Sequence, residues 1–175
     1  MAGGTLSLRP QGQGVSPHVL ERRQVVPGQL ADVFAYFESP RNLEAITPPW
    51  LRFEVVHTTD ESMRLGTEIE FRLTWQRVPM KWRSRISEYE PGASFADEMI
   101  RGPYRRWYHR HLFRPTEGGI EMVDVVEYEL PLGPFGRLTH TLLVRAQLEA
   151  IFDYRYASIS AHFGAAASQS EVSAP

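Results

Sequence analysis

From Leu51 onward the pattern, mostly apolar, takes period two: Leu51, Phe53 and Val55, then Thr67, Ile69, Phe71, Leu73 and Trp75, then Trp82, Ser84 and Ile86, with further segments beyond. Period two sends alternate side chains to opposite faces of a strand, so the middle of the chain reads as antiparallel strands with one apolar face. Such a face needs a cover. Pro134 suits a first helical turn, and Leu138, Leu142, Leu148, Ile151 and Phe152 follow as an apolar stripe over roughly 25 residues, a rod of about 37 Å. Upstream, His18 to Val26 reads as a first strand ended by Pro27 and Gly28. Leu30, Val33, Phe34 and Phe37 then fall at helical intervals, and a second short helix runs from Arg41 to Ile46. The expected architecture is α+β: about seven antiparallel strands, two short helices after the first, and one long C-terminal helix against the sheet.

At 175 residues, 42% of them hydrophobic, the chain has material for one core. The expected domain spans 16–163, between loose tails at 1–15 and 164–175 that are too small and polar to offset their ordering entropy. Nineteen basic and 21 acidic residues leave a net charge of −2, with no global pull toward nucleic acid or an anionic membrane. Absence of cysteine excludes disulfides, thiolate metal sites and thiol catalysis. No signal-like or membrane-spanning apolar run is present, so the expectation is a cytoplasmic monomer or homodimer without membrane insertion.

The pattern implies two turns. Val78 and Pro79 are expected to reverse the chain between two strands, although that register sets Arg72 against Arg85. Glu117 and Gly118 centre the other, in "WYHRHLFRPTEGGIEMVDVVEYELPLG", residues 107–133, so that paired residues sum to 235. Trp107 then faces Tyr128, His109 faces Val126, His111 faces Asp124 and Phe113 faces Met122, while Arg106 meets Glu129 and Arg114 meets Glu121 on the other side. A slip of one residue would turn the arginines and glutamates inward, so His109, His111 and Asp124 belong to the inner face.

A carboxylate turned inward is costly unless a donor binds it. Three arrangements accommodate these groups: a core network in which His111 and Asp124 satisfy each other, a cavity whose polar lining they form, or a two-histidine, one-carboxylate metal site. Nothing else in the sequence completes a metal-ligand signature, so neither metal nor cofactor is expected. Trp75, Trp82, Trp107 and Tyr128 favour the cavity, since each is large and has a polar tip that needs a partner. Asp97 alternates with Phe95 and Met99 toward the same face, or else is a strand-end carboxylate in solvent. Leu142 and Arg145 would line the cavity from the long helix, and Arg145 or Arg155 can reach a ligand carboxylate, although Arg155 also suits the helix end.

"GPYRRWYHRHLFRP", "GGIEMVDVVEYELPLGPFG" and "VRAQLEAIFDYR" together resemble a bacterial single-domain branch of the START-like (SRPBCC) superfamily, whose relatives include polyketide cyclases, plant pathogenesis-related allergens and lipid-transfer domains. The similarity runs from about His18 to His162. It implies the helix-grip fold, a curved sheet gripping the C-terminal helix around an apolar cavity. Function does not follow from that scaffold alone.

Three functions compete at this level. In the first, the cavity binds a small hydrophobic or aromatic ligand (lipid, polyketide or quinone-like), oriented by His109, His111 and Asp124. In the second, His111 is the general base of a cyclase or dehydrase on an aromatic polyketide-like substrate, with Asp124 holding its tautomer, but no nucleophile or oxyanion device accompanies the pair. The third is an interaction module using Arg101, Arg105, Arg106, Arg110 and Arg114, a run that reads equally as a solvated outer face. Ligand binding without nucleic acid is the leading expectation.

Overall fold

The computed structural model describes residues 17–75, 77–131 and 143–172, with side chains through residue 165. The elements in order are strand β1 (His18–Val26), helix α1 (Leu30–Glu38), helix α2 (Asn42–Ala45), a single 3-10 turn (Pro49–Leu51), and strands β2 (Glu54–Thr58), β3 (Glu68–Trp75), β4 (Val78–Glu90), β5 (Ser94–Arg101), β6 (Arg106–Thr116) and β7 (Gly119–Glu129). Helix α3 (Arg145–Val172) closes the series. The strands form one sheet in the order β1-β7-β6-β5-β4-β3-β2, antiparallel at every junction. After the first strand each neighbour follows in sequence, so short turns suffice for the sheet; β1 reaches β7 across the whole chain length.

The β6/β7 register is the one read from the alternation, with His111 opposite Asp124 and Trp107 opposite Tyr128. The β3/β4 turn differs from the expectation. Trp75 pairs with Val78, so the chain reverses between them rather than at Val78 and Pro79, and Arg77 takes a positive φ of 70° there. In the observed register Glu68 stands opposite Arg85 and bonds both Arg83 and Arg85, while Arg72 stands opposite Lys81 rather than Arg85.

Helix α3 runs on past residue 163 to Val172, where the composition predicted a loose tail. The expected helical start at Pro134, with Leu138, Leu142 and the flanking Gly133 and Gly136, lies outside the described residues, as does the 1–15 segment.

Two apolar clusters fill the space between sheet and helices. One joins Val33, Phe34 and Phe37 of α1 to Phe95, Phe113, Ile159 and Phe163. The other joins Trp82, Tyr104, Val126 and Tyr128 to Leu148 and Phe152 of α3. Each fully buried aromatic contributes about 1.5–3 kcal/mol. Where the clusters meet stand the buried His109, His111 and Asp124: the His111 ring lies 4.4 Å from that of Phe95 in one cluster, and the His109 ring 5.6 Å from that of Phe152 in the other.

Candidate functional site

A cavity of about 170 Å³ lies between the sheet and α3. Strands β3, β4 and β6 give it the aromatic wall Phe71, Trp75, Trp82 and Trp107, joined by Tyr104 from the β5–β6 loop, while α3 contributes Leu148, Ile151, Phe152 and Arg155. The aromatic rings brace one another, with Phe71 stacked on Trp82 at 5.7 Å and Trp107 edge-on to Trp82 at 5.2 Å.

The polar side of the cavity is a row of polar contacts across four strands, β4 to β7. Trp82 Nε1 donates to Ser84 Oγ at 2.9 Å, and Ser84 Oγ donates to Asp97 Oδ1 at 2.9 Å. Asp97 Oδ2 faces His109 Nδ1 at 3.7 Å. His109 Nε2 lies 3.0 Å from Asp124 Oδ1, and His111 Nδ1 lies 2.6 Å from the same oxygen. The second contact is close, but its angles are not those of a hydrogen bond, and His111 Nδ1 has no other partner.

Burial and charge set the protonation of this group. Burial pushes the His111 imidazolium down to about 4, helped by the charge of His109 and opposed by Asp124, so His111 is neutral at physiological pH. Burial acts to raise Asp124, yet the two imidazoles outweigh it and hold the carboxyl well below the ordinary carboxylate range. Asp124 is therefore an acceptor only, and His109 Nε2 must be the donor between them. Arg155 adds a further charge. Its Nε and Nη1 are buried without a hydrogen-bond partner, and its guanidinium carbon lies 5.3 Å from the centre of the Phe152 ring.

Of the residues singled out in the sequence, Trp75, Trp82, Asp97, Trp107, His109 and His111 line this cavity. Phe113 and Tyr128 are packed into the apolar clusters instead. Met122 and Asp124 lie behind it and border a second cavity, of about 270 Å³, between β1, β7 and α3. Arg145 is exposed and bonds Glu149 one turn along the helix, because the inward stripe of α3 passes through Leu148, Phe152 and Arg155. Leu142 is outside the described residues. Sequence reasoning missed Ser84, Tyr104 and the inward role of Gln24, which donates to Tyr156 O and Ser160 Oγ of α3. Ser84 and Gln24 fall on inward positions of their strands, so the period-two pattern was the available signal.

On the outer face the arginine run is spread among glutamates: Arg105 with Glu129, Arg106 with Glu127, Arg110 with Glu88.

An antiparallel sheet gripping a long helix around an aromatic cavity defines a helix-grip protein of the START and Bet v 1 kind. The chain belongs to the family described as polyketide cyclase / dehydrase and lipid transport, whose sequence model matches residues 26–152. Among solved structures, TTHA0849 from Thermus thermophilus is 18% identical, covering 83% of this chain and 99% of that one with a TM-score of 0.60. Ms6760 from Mycobacterium smegmatis is 16% identical over 85% and 92%, TM-score 0.62. The ginseng major latex-like protein 151 from Panax ginseng is 13% identical over 85% and 99%, TM-score 0.59. At these identities the likeness is one of fold. No curated protein matches the chain. Among the described residues no helix is long and apolar enough to cross a membrane.

Proposed function

We propose that the chain binds a small ring-bearing ligand in the cavity between sheet and α3, with the ligand's polar end toward Asp97, His109, His111 and Arg155. The observation that carries this reading is the lining itself: an aromatic wall on one side and, on the other, Nε and Nη1 of Arg155, both buried without a hydrogen-bond partner. Buried N–H donors left unpaired are costly, and an acceptor oxygen on the ligand would satisfy them.

Size narrows the class. A dry cavity of about 150 Å³ holds benzene, so about 170 Å³ suits a compound of one or two rings and is too small to enclose a long acyl chain. Burying about 200 Å² of such a ligand contributes on the order of 5 kcal/mol. Micromolar binding needs about 8 kcal/mol, so the remainder falls to the polar end.

Tryptophan fluorescence tests the proposal, because Trp75, Trp82 and Trp107 line the cavity whereas Trp50 is exposed. With Trp50→Phe as background, titration with hydroxynaphthalenes is expected to give saturable quenching. Ile151→Phe, which narrows the cavity, is expected to weaken it about tenfold, in line with overpacking costs of 1–3 kcal/mol. Quenching that never saturates, or that ignores Ile151→Phe, would remove the cavity as the binding site.

A further inference from the structure

We propose that Asp97, His109 and His111 form a site for a divalent transition-metal ion at the polar end of the cavity, with Asp124 holding both imidazoles from behind.

The first support is convergence. One donor atom from each of the three residues lies within 4.8 Å of the other two. Ligands bonded to one ion at about 2.0–2.2 Å stand roughly 3.0–3.5 Å apart, so side-chain rotations of about 1 Å would close the set. No strand has to move. His109 and His111 are two apart on β6 and therefore share its inner face, and Asp97 is the direct β5 neighbour of His109.

The second support is that two of the three donors, His109 and Asp97, are already hydrogen-bonded from outside, and the third, His111, is in close contact with the same carboxylate as His109. Metal-bound histidines characteristically give their other nitrogen to a carboxylate, which fixes the tautomer and the ring orientation. Here one oxygen of Asp124 stands 3.0 Å from His109 Nε2 and 2.6 Å from His111 Nδ1. Asp97 is held through Oδ1 by Ser84, itself held by Trp82, which leaves Oδ2 facing His109 Nδ1 beyond hydrogen-bond range. A core network that merely satisfied itself would have closed that gap.

The donor chemistry points the same way. Two nitrogens and one carboxylate oxygen, without thiolate, suit zinc, iron, cobalt or manganese rather than calcium or magnesium. All three residues line the cavity, so remaining coordination positions would open toward a bound ligand. The inference does not depend on the ligand reading: a chain that binds metal but no ring compound would keep this site and lose the other.

The test is calorimetric titration of the chelator-stripped full chain with zinc chloride. One ion per chain is expected. Asp97→Asn, which keeps the side chain's shape, is expected to weaken binding at least tenfold without changing the melting temperature of the metal-free protein. Asp124→Asn, a positioning change, is expected to weaken it about 10–100-fold. X-ray absorption of zinc-loaded wild type, which needs no variant to fold, is expected to count two imidazoles per ion. No stoichiometric binding, binding that Asp97→Asn leaves unaltered, or fewer than two imidazoles per ion would each overturn the proposal.

Discussion

His111 and Asp124 face each other across β6 and β7 with Nδ1 2.6 Å from Oδ1, both fully enclosed between the two apolar clusters. Because Asp124 also takes the His109 proton donor, removing its carboxylate strands two buried imidazoles at once. Asp124→Ala is expected to cost about 2 kcal/mol, within the range for leaving buried hydrogen-bonding groups unsatisfied. Asp124→Asn retains an acceptor oxygen and should cost about half as much. Urea denaturation measures both; a loss below about 1 kcal/mol for the alanine variant would show that these groups do not depend on the carboxylate.

Much of this arrangement was legible in the sequence because period two leaves little freedom. Arg106, Arg114, Glu121 and Glu129 cannot be buried together, so the β6/β7 register had one acceptable solution, and it carried His109, His111 and Asp124 inward with it. The β3/β4 turn was less legible, since Arg77 adopts its positive φ without glycine or asparagine to announce it, and Pro79 attracted the turn assignment while sitting inside β4. Helix phase misled in the same way. Arg145 and Arg155 look alike in sequence, and only the stripe Leu148, Phe152, Ile159 and Phe163 puts Arg155 inside and Arg145 in solvent. That one cavity would be flanked by a second could not be read from any strand alone, because it depends on the distance at which α3 rides over β1 and β7.

Ser84 is 2% exposed and carries the bond from Trp82 to Asp97. Ser84→Ala removes one hydroxyl and leaves an indole N–H and a carboxylate oxygen without their partner. The expected loss is about 1–3 kcal/mol, more than the deletion of a single atom would cost in apolar surroundings. A red or blue shift of the Trp82 emission, read in a Trp50→Phe, Trp75→Phe, Trp107→Phe background, should accompany it. An unchanged spectrum would show that the indole does not rely on Ser84.

Tyr89 donates its hydroxyl to Glu38 of α1, and burial first and Glu38 second push its ionisation up to about 12. An unfolded tyrosine ionises near 10. The folded chain therefore keeps a proton that the unfolded chain releases, so the Tyr89 contribution to stability is flat below pH 10 and is lost as pH rises from about 10 to about 12. Burial raises Tyr104 as well and adds to the same branch. Urea midpoints measured across this window should decline less steeply in Tyr89→Phe than in wild type. Equal slopes would remove Tyr89 from the alkaline transition.

The turn between β6 and β7 holds two glycines that differ sharply in what surrounds them. Both have positive φ, 87° at Gly118 and 140° at Gly119. A Cβ on Gly118 would meet nothing within 4 Å, so Gly118→Ala costs only the backbone preference, about 1–2 kcal/mol. A Cβ on Gly119 would stand 2.2 Å from the carbonyl oxygen of Val26 and 2.9 Å from Pro27 Cα, both backbone atoms at the end of β1. Neither can rotate away, and Val26 is fixed by its pairing with Ile120. Gly119→Ala must therefore pull β1 from β7 at the edge of the sheet, at a cost of roughly 3 kcal/mol or more. Asparagine, the residue that best tolerates positive φ, should relieve the strain at Gly118 but not the collision at Gly119. Urea denaturation of the alanine and asparagine variants at both positions distinguishes the two effects: equal losses at 118 and 119 would mean that strand β1 yields, and that its end is not locked against the turn.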